Sequence, residues 1–419
     1  MTGTLNVYLY TILIGYLTQD EHGQMLFEYT REWLTNPNGM PLSLSLPLQE
    51  GKFGEKQCKP FFAGVLPDVA KRKLIAQNLG ISTNNDFAML AQIGGECAGA
   101  VTFTTEDTAL TSAENYKPLS TAALEKILMD LPRRPLMAGE NGVRLSLAGA
   151  QDKIAIYKVD DKFFLPLENA PSSHIIKPDI EQYKGIAFNE AFCMTLAARI
   201  GLPTANVEVK KAGAIDYLLI ERYDRTKEIN HHKQLHRIHQ EDFCQAIGIV
   251  AERKYQIEGG PSIKACFELV RKVSSIPVLD LNHLLDAIIF NFLIGNHDAH
   301  GKNFSLLYRM QNAATPSPGK IRLAPLYDLI CTYVYPDLSK RMAMNIGKAH
   351  ELDEVDPRQF EKLADDIQFT KSLVKKRVTD QAKKVLGHLD LIELHHPIIN
   401  EVRQFINNHC NNVLRRFSA

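Results

Sequence analysis

What this 419-residue sequence lacks narrows its class before any motif is read. Its seven cysteines are odd in number and no two stand as CxxC, so the chain has neither a zinc-ribbon spacing nor a closed disulfide frame. Scattered thiols of this kind suit burial in a reducing cytoplasm. Charge of one sign is missing too: 48 Lys plus Arg balance 48 Asp plus Glu, so any nucleic-acid contact must come from a local patch or a partner. No HExxH, internal repeat or low-complexity segment occurs. The single candidate for an anchor or signal, "LNVYLYTILIGYL", is short, has no basic leader and is broken by Asn6 and Gly15. It reads as two β-strands, and the expectation is a cytoplasmic chain with no membrane partner.

What is present is an ordinary globular composition, 45% apolar and 23% charged, in a chain long enough for two or three cooperating domains. Residues 1–110 alternate strand-like stretches with turn signals, and "LPDVAKRKLIAQNLG" predicts a helix with Leu66, Val69, Leu74 and Leu79 on one side, ended by Gly80. This is the pattern of a small α+β domain. Residues 111–140 form a connector with a helix starting after Ser120-Thr121. Residues 141–225 carry five strand patterns, from "VRLSLAGAQDKIAIYKV" to "DYLLIERYDR", around one helix, "GIAFNEAFCMTLAARIG". Residues 226–419 are mainly helical, with a short β-like break at "NFSLLY" and "KIRLAPLYDLI". The expected fold class is therefore α+β, two-lobed, with a β-rich N-lobe, a helical C-lobe and a small N-terminal accessory domain. The stretches "NAATPSPGK" and "RTKEINHHKQLH" are expected to be mobile, and the histidines of "HHKQLHRIH" to lie at the surface.

The chemistry-bearing stretch is "IGNHDAHGKNF", residues 294–304, which follows the apolar run "LLDAIIFNFL". Asp298 and Asn303 are five positions apart, and Asp328 follows a hydrophobic segment 25 residues beyond Asn303. Phosphoryl transfer needs a carboxylate near the attacking hydroxyl and hard oxygen ligands for Mg²⁺ on the phosphates. Asp298 suits the first task, Asn303 and Asp328 the second. Asp298 and Asn303 could instead cap the end of the apolar helix. A transition-metal reading would rest on His297 and His300, but no third ligand follows at a familiar spacing. Elsewhere, Lys177 ends the apolar strand "SHIIK", where its ammonium could reach phosphates, with Glu190 on the next helix able to orient it; an edge-strand lysine in water reads the same way. Ala148, Gly149 and Ala150 could bring backbone N–H groups up to phosphate oxygens, or form a plain hairpin turn. Glu221 to Tyr223 leave an apolar strand just before the helical region, where a backbone could pair with adenine, and an ordinary edge strand reads the same way.

Eight words in order, "RLSLAGAQDK", "HIIKP", "NEAFC", "IERYDR", "QEDFCQAIGI", "KYQIEGGP", "HDAHGKNFS" and "LAPLYDL", resemble the HipA family of bacterial toxin serine/threonine kinases. "PLSLSLPL" and "GGECAGAVTF" resemble that family's N-terminal domain, so the likeness spans nearly the whole chain. HRD, DFG and GxGxxG, the eukaryotic-type signature, are absent. The resemblance implies a kinase dependent on ATP and Mg²⁺, held in check by a helix-turn-helix antitoxin of HipB type that binds operator DNA. It implies a protein substrate, an aminoacyl-tRNA synthetase such as the glutamyl enzyme, whose modification stalls translation and promotes dormancy.

Residue by residue, the resemblance makes Asp298 the catalytic aspartate, Asn303 and Asp328 the magnesium ligands, and Lys177 the phosphate-binding lysine. Ala148, Gly149, Ala150, Gln151, Asp152 and Lys153 match the phosphate loop, and Glu221 and Tyr223 the adenine contacts. His300 and Lys302 fall in the nucleotide-contacting stretch, and Ser146 matches the autophosphorylated serine, where added negative charge would repel bound phosphates. Lys375, Lys376, Lys383 and Lys384 lie on a late helix, as a solvated face or a surface near operator phosphates when the antitoxin docks the chain on DNA. Two other classes compete with a toxin kinase: a degenerate kinase fold serving as corepressor with the antitoxin, and a kinase for a small molecule or lipid.

Overall fold

The computed structural model describes residues 3–105, 110, 115–227, 235–309 and 319–418. Most of the two stretches expected to be mobile therefore lies outside the described residues. The chain forms two compact units, each assembled from three separated segments. The first takes Met1–Pro178, Lys211–Glu252 and Leu306–Ile321; the second takes Asp179–Lys210, Arg253–Ser305 and Arg322–Ala419.

In the first unit, "LNVYLYTILIGYL" folds into two antiparallel strands, β1 (Gly3–Leu9) and β2 (Ile12–Gln19), as its alternation predicts. With β3 (Met25–Tyr29) and β4 (Val101–Thr104) they make a sheet of order β3-β2-β1-β4. Its core is aromatic: Phe27 lies 5.2 Å from Phe62, which meets Phe103 at 5.8 Å, ring to ring. Helix Val69–Leu79 ends on Gly80 in the left-handed conformation (φ 65°), as expected of a glycine C-cap. Its buried face differs from the predicted one. Arg72, Ile75 and Ala76 point inward and Val69 is exposed, because Arg72 finds buried acceptors in Asp86 (3.0 Å) and the carbonyls of Pro67 (2.6 Å) and Ala63 (2.7 Å). A guanidinium with its donors satisfied can displace an aliphatic residue from such a face.

The second sheet runs through β5 (Tyr116–Leu119), β6 (Ile154–Val159), β7 (Lys162–Pro166), β8 (His174–Pro178), β9 (Val207–Ala212) and β10 (Ile215–Glu221), in the order β5-β7-β6-β8-β10-β9. It has six strands, not five. The extra one, β5, comes from the connector, where its half-exposed "YKPL" gives no strong strand pattern. Conversely, the strand expected from Val143 begins only at Ile154; residues 143–153 are irregular, with a bend at 149–151 and one bridge between Leu145 and Glu96. On β9 the chain passes from the second unit back into the first.

The second unit is mainly helical. Helix Pro277–Leu293 exposes Val278 and Leu279 at its start but is buried all round from Leu284 on apart from Asp286, with Leu284, Leu285, Ile289 and Phe290 inaccessible to solvent. It is wedged among Ile263–Val273, Lys371–His388 and Pro397–Ser418. Near its start, Asp280 receives a two-pronged guanidinium from Arg322 at 3.0–3.1 Å. All seven cysteines are buried free thiols, and none of the described helices is long and apolar enough to cross a membrane.

Candidate functional site

The sequence-predicted residues divide between the units. Ser146, residues 148–153, Lys177, Glu221 and Tyr223 belong to the first; Asp298, His300, Lys302, Asn303 and Asp328 belong to the second.

In the first unit, Gly149 takes φ 110°, a conformation open in practice to glycine, and a Cβ there would stand 2.5 Å from the Lys153 ammonium. Lys153 folds back to donate to the Ala148 carbonyl (2.7 Å), which closes the loop on itself. The N-terminal domain braces it at three points. Ser146 Oγ donates to Val65 O (3.0 Å), Asp68 N donates to Gly149 O (3.2 Å), and Lys71 Nζ donates to Asp152 Oδ1 (2.6 Å). A small cleft lies beside these groups, lined by Pro67, Lys71, Gly149, Asp152 and Lys153 among others. Ala150 is exposed, and the buried Gln151 Nε2 has no hydrogen-bond acceptor among the described residues. A buried donor left open inside a glycine turn suits an anion that brings its own oxygens. Ser146 itself has no exposed surface.

Lys177 is buried on a central strand, paired across β8–β10 with Leu218, while Glu221 pairs with His174 at the far end of the same ladder. The backbone around Glu221 and Tyr223 is held by a buried ionic cluster. Arg222 donates to Glu96 Oε1 (3.1 Å), Ser172 Oγ (2.9 Å) and Asp224 Oδ2 (2.7 Å); Arg225 donates to Glu96 Oε1 (2.7 Å), and Arg237 pairs with the other oxygen. Burial alone would raise the Glu96 carboxyl, but Arg225, Arg237 and Arg222 outweigh it and hold the carboxyl well below the usual carboxylate range. Removing one member of such a set leaves buried charge uncompensated, at a cost of roughly 3–5 kcal/mol.

In the second unit, helix Pro277–Leu293 stops at Leu293, and Gly295 follows with φ 72°. Neither Asp298 nor Asn303 caps it. Asn303 instead closes a short 3-10 turn, Gly301–Asn303, accepting from His300 N at 3.4 Å. Asn296 is the organising residue. Its Oδ1 accepts from Asp298 N (3.1 Å), and its Nδ2 donates to Asp328 O (3.3 Å) and to Asn291 Oδ1 (2.7 Å). One buried amide thus ties together the two backbones that carry the acids. Asp328 is held at φ 53°, left-handed and costly for a residue with a side chain, a type of strain that concentrates at functional sites. Asp298 keeps a side chain 51% exposed, with Tyr255 Oη donating to its Oδ1 at 2.8 Å and His300 Nε2 4.0 Å from Oδ2. Tyr327 Oη donates to Lys302 O (2.7 Å), which fixes the segment ahead of Asp328 to the loop.

His297 is committed elsewhere. Its Nδ1 lies 3.1 Å from Thr332 Oγ1, its ring tilts against Tyr333, and burial, with help from Lys340 and His409, lowers its pKa to about 4. The stretch "HHKQLHRIH" needs a correction as well. His239 is fully buried, with Nε2 2.8 Å from Leu42 O, and burial pushes it down to about 4; His231 and His232 lie outside the described residues. Asn296, Tyr255, Tyr327 and Thr332 were given no role by sequence reasoning. Only Asn296 had a local signal, an Asx residue two positions before Asp298.

Two family models match: the HipA N-terminal domain over residues 5–104 and the HipA-like C-terminal domain over residues 145–389. A protein of Sinorhizobium fredii named "Putative kinase Y4mE" is 46% identical over 90% of this chain and 88% of its own length. "Serine/threonine-protein kinase toxin HipA" of Shewanella oneidensis is 28% identical over 99% of this chain and 95% of its own. The structure is also similar to Shewanella oneidensis HipA solved with HipB and operator DNA, at TM-score 0.83 and 25% identity, covering 99% of this chain and 98% of that one.

Proposed function

This chain belongs to the HipA family of serine/threonine-protein kinases, and from that footing we propose that it is an ATP-dependent kinase acting as the toxin of a toxin–antitoxin pair. The observation that carries the reading is the single Asn296 amide bonded to both the Asp298 and Asp328 backbones, with Asp328 in strained left-handed geometry.

In this proposal Asp298 takes the proton of a serine or threonine hydroxyl on a partner protein. The hydroxyl oxygen then forms its bond to the γ-phosphorus while the bond from that phosphorus to the β–γ bridging oxygen breaks, and ADP leaves. Asn303 and Asp328 would hold Mg²⁺, which normally uses one or two protein oxygens together with the nucleotide's phosphates. When bound, the ion offsets phosphate charge. Residues 148–153 and Lys177 would receive the phosphates, Glu221 and Tyr223 would meet the adenine, and His300 and Lys302 would be further nucleotide contacts. Ser146 would be an autophosphorylation site. Its hydroxyl is sealed against Val65, so modification requires the loop to open, and a phosphate could not return to that seat.

The substrate we propose is a translation protein, an aminoacyl-tRNA synthetase, and the antitoxin a helix-turn-helix partner of HipB type that links the chain to operator DNA. The relative solved with HipB and operator DNA supports the latter. The test is transfer from γ-labelled ATP in a whole-cell lysate, read by gel and mass spectrometry, with Asp298→Asn as control. One labelled protein, lost in the variant, is the expected result. A labelled metabolite, or undiminished transfer by the variant, overturns the proposal.

A further inference from the structure

Of the eight sequence words that carry the family resemblance, "KYQIEGGP" received no task from phosphate, metal or adenine. The structure gives it a specific mount. Tyr255 precedes a 3-10 turn, Gln256–Glu258, and its carbonyl accepts from Glu258 N and Gly260 N, both at 2.9 Å. Gly259 takes φ 92°, and a Cβ on Gly260 would stand 2.5 Å from the Arg253 carbonyl and 2.6 Å from that of Lys254, so the paired glycines permit this tight fold. Gln256 Oε1 accepts from Asn345 N (2.8 Å), which pins the turn to strand Arg341–Ile346. The Tyr255 ring sits edge-on to His300, with centroids 5.5 Å apart. From this mount the phenol donates to Asp298 Oδ1 at 2.8 Å.

We propose that Tyr255 is the positioning residue for Asp298, presenting one carboxylate oxygen to the acceptor by holding the other. The inference rests on the reading of Asp298 as the base. Two features separate positioning from mere occupation of the acceptor's place. The carboxylate stays 51% exposed with Tyr255 in contact, so an incoming hydroxyl need not displace it. The tyrosine is also fixed at its carbonyl, at the neighbouring Gln256 and at its ring face, as a group that restricts rotation of the carboxylate must be. Without the phenol, Oδ1 loses this hold and the carboxylate spends less time in the reactive orientation.

The experiment is Tyr255→Phe in the full chain, which removes only a hydroxyl. Single-turnover transfer from γ-labelled ATP is followed to whichever protein the wild-type chain labels in lysate, and nucleotide affinity is read with a fluorescent ATP analogue. The expected result is a rate lower by about tenfold, the loss of one charge-assisted hydrogen bond, with nucleotide affinity and melting temperature unchanged. Added to Asp298→Asn, the substitution should cost nothing further. An unchanged or faster rate overturns the inference, and the faster one would mean that the phenol competes with the acceptor. So does an equal extra loss on top of Asp298→Asn, or a rate loss matched by lost nucleotide affinity. Undiminished transfer by Asp298→Asn alone would sink the assignment of the base, a failure distinguishable from these.

Discussion

Residues 146–153 take three of their hydrogen bonds from the segment 65–71 of the N-terminal domain, whereas residues 295–303 are tied by Asn296, by Thr332 and by Tyr255 within their own unit. The first loop also contains the exposed Ala150 and borders a small cleft; the second follows a helix that is buried from Leu284 to Leu293 apart from Asp286. Loops with few internal bonds and external braces open at low free-energy cost, and loops tied by buried amides do not. A kinase can use that difference: an adaptable loop suits a nucleotide that must enter and leave, and a rigid one suits acids that must meet a reacting oxygen.

The comparison can be broken most severely at the rigid loop. Asn296→Ala frees both acid-bearing backbones and strands the Asn291 carbonyl, and should lower transfer about a hundredfold, within the range that misplacement of a catalytic group costs. Nucleotide affinity should hold; if it falls equally, the two loops are not separable. At the adaptable loop, Gly149→Ala meets a φ of 110° and the Lys153 ammonium, and should weaken nucleotide binding about tenfold in a titration with a fluorescent analogue, with little change in melting temperature. Lys71→Met leaves the buried Asp152 carboxylate without this ion-pair partner. It should speed amide exchange across residues 146–153 severalfold and leave residues 295–303 unchanged; equal change in both would show that the brace does not act locally.

The smallest effect concerns pH. Burial raises Glu241 from 4.5 to about 7, only partly offset by hydrogen bonds from Ser43, Tyr308 and Leu44 N. Between those values the folded chain keeps a proton that the unfolded chain has lost, so the stabilisation is present below about pH 4.5 and disappears as pH rises through 7. Because Ser43 and Leu44 belong to the bracing domain, melting temperature should fall by a few degrees between pH 6 and pH 8. Glu241→Gln should flatten that slope, and a slope unchanged by the substitution would place its origin elsewhere.

Strong periodic stretches were legible in the sequence. β8, β10 and helix Pro277–Leu293 stand where their apolar patterns put them, because burial on both faces or all round leaves a continuous run. Residues 143–153 misled: their alternation is that of a strand, but Gly149 and the contacts with Val65, Asp68 and Lys71 hold them in an irregular loop, and distant partners leave no local trace. The same reason hid Arg72, whose acceptors lie 5, 9 and 14 residues away in sequence, and Tyr255, 43 residues from Asp298. Asp298, Asn303 and Asp328 were readable as a spacing. The amide that organises two of them was in plain view, but an Asn near a helix end usually serves the helix.

The interleaving of the two units bears on synthesis. The first unit receives its last segment only at residues 306–321, and the second continues to the final helix, Pro397–Ser418. A ribosome making this chain N-terminus first has therefore emitted about three quarters of it before either unit can close. Products that stop before residue 321 contain neither finished unit, so the fold gives a truncated chain no completed half to work with.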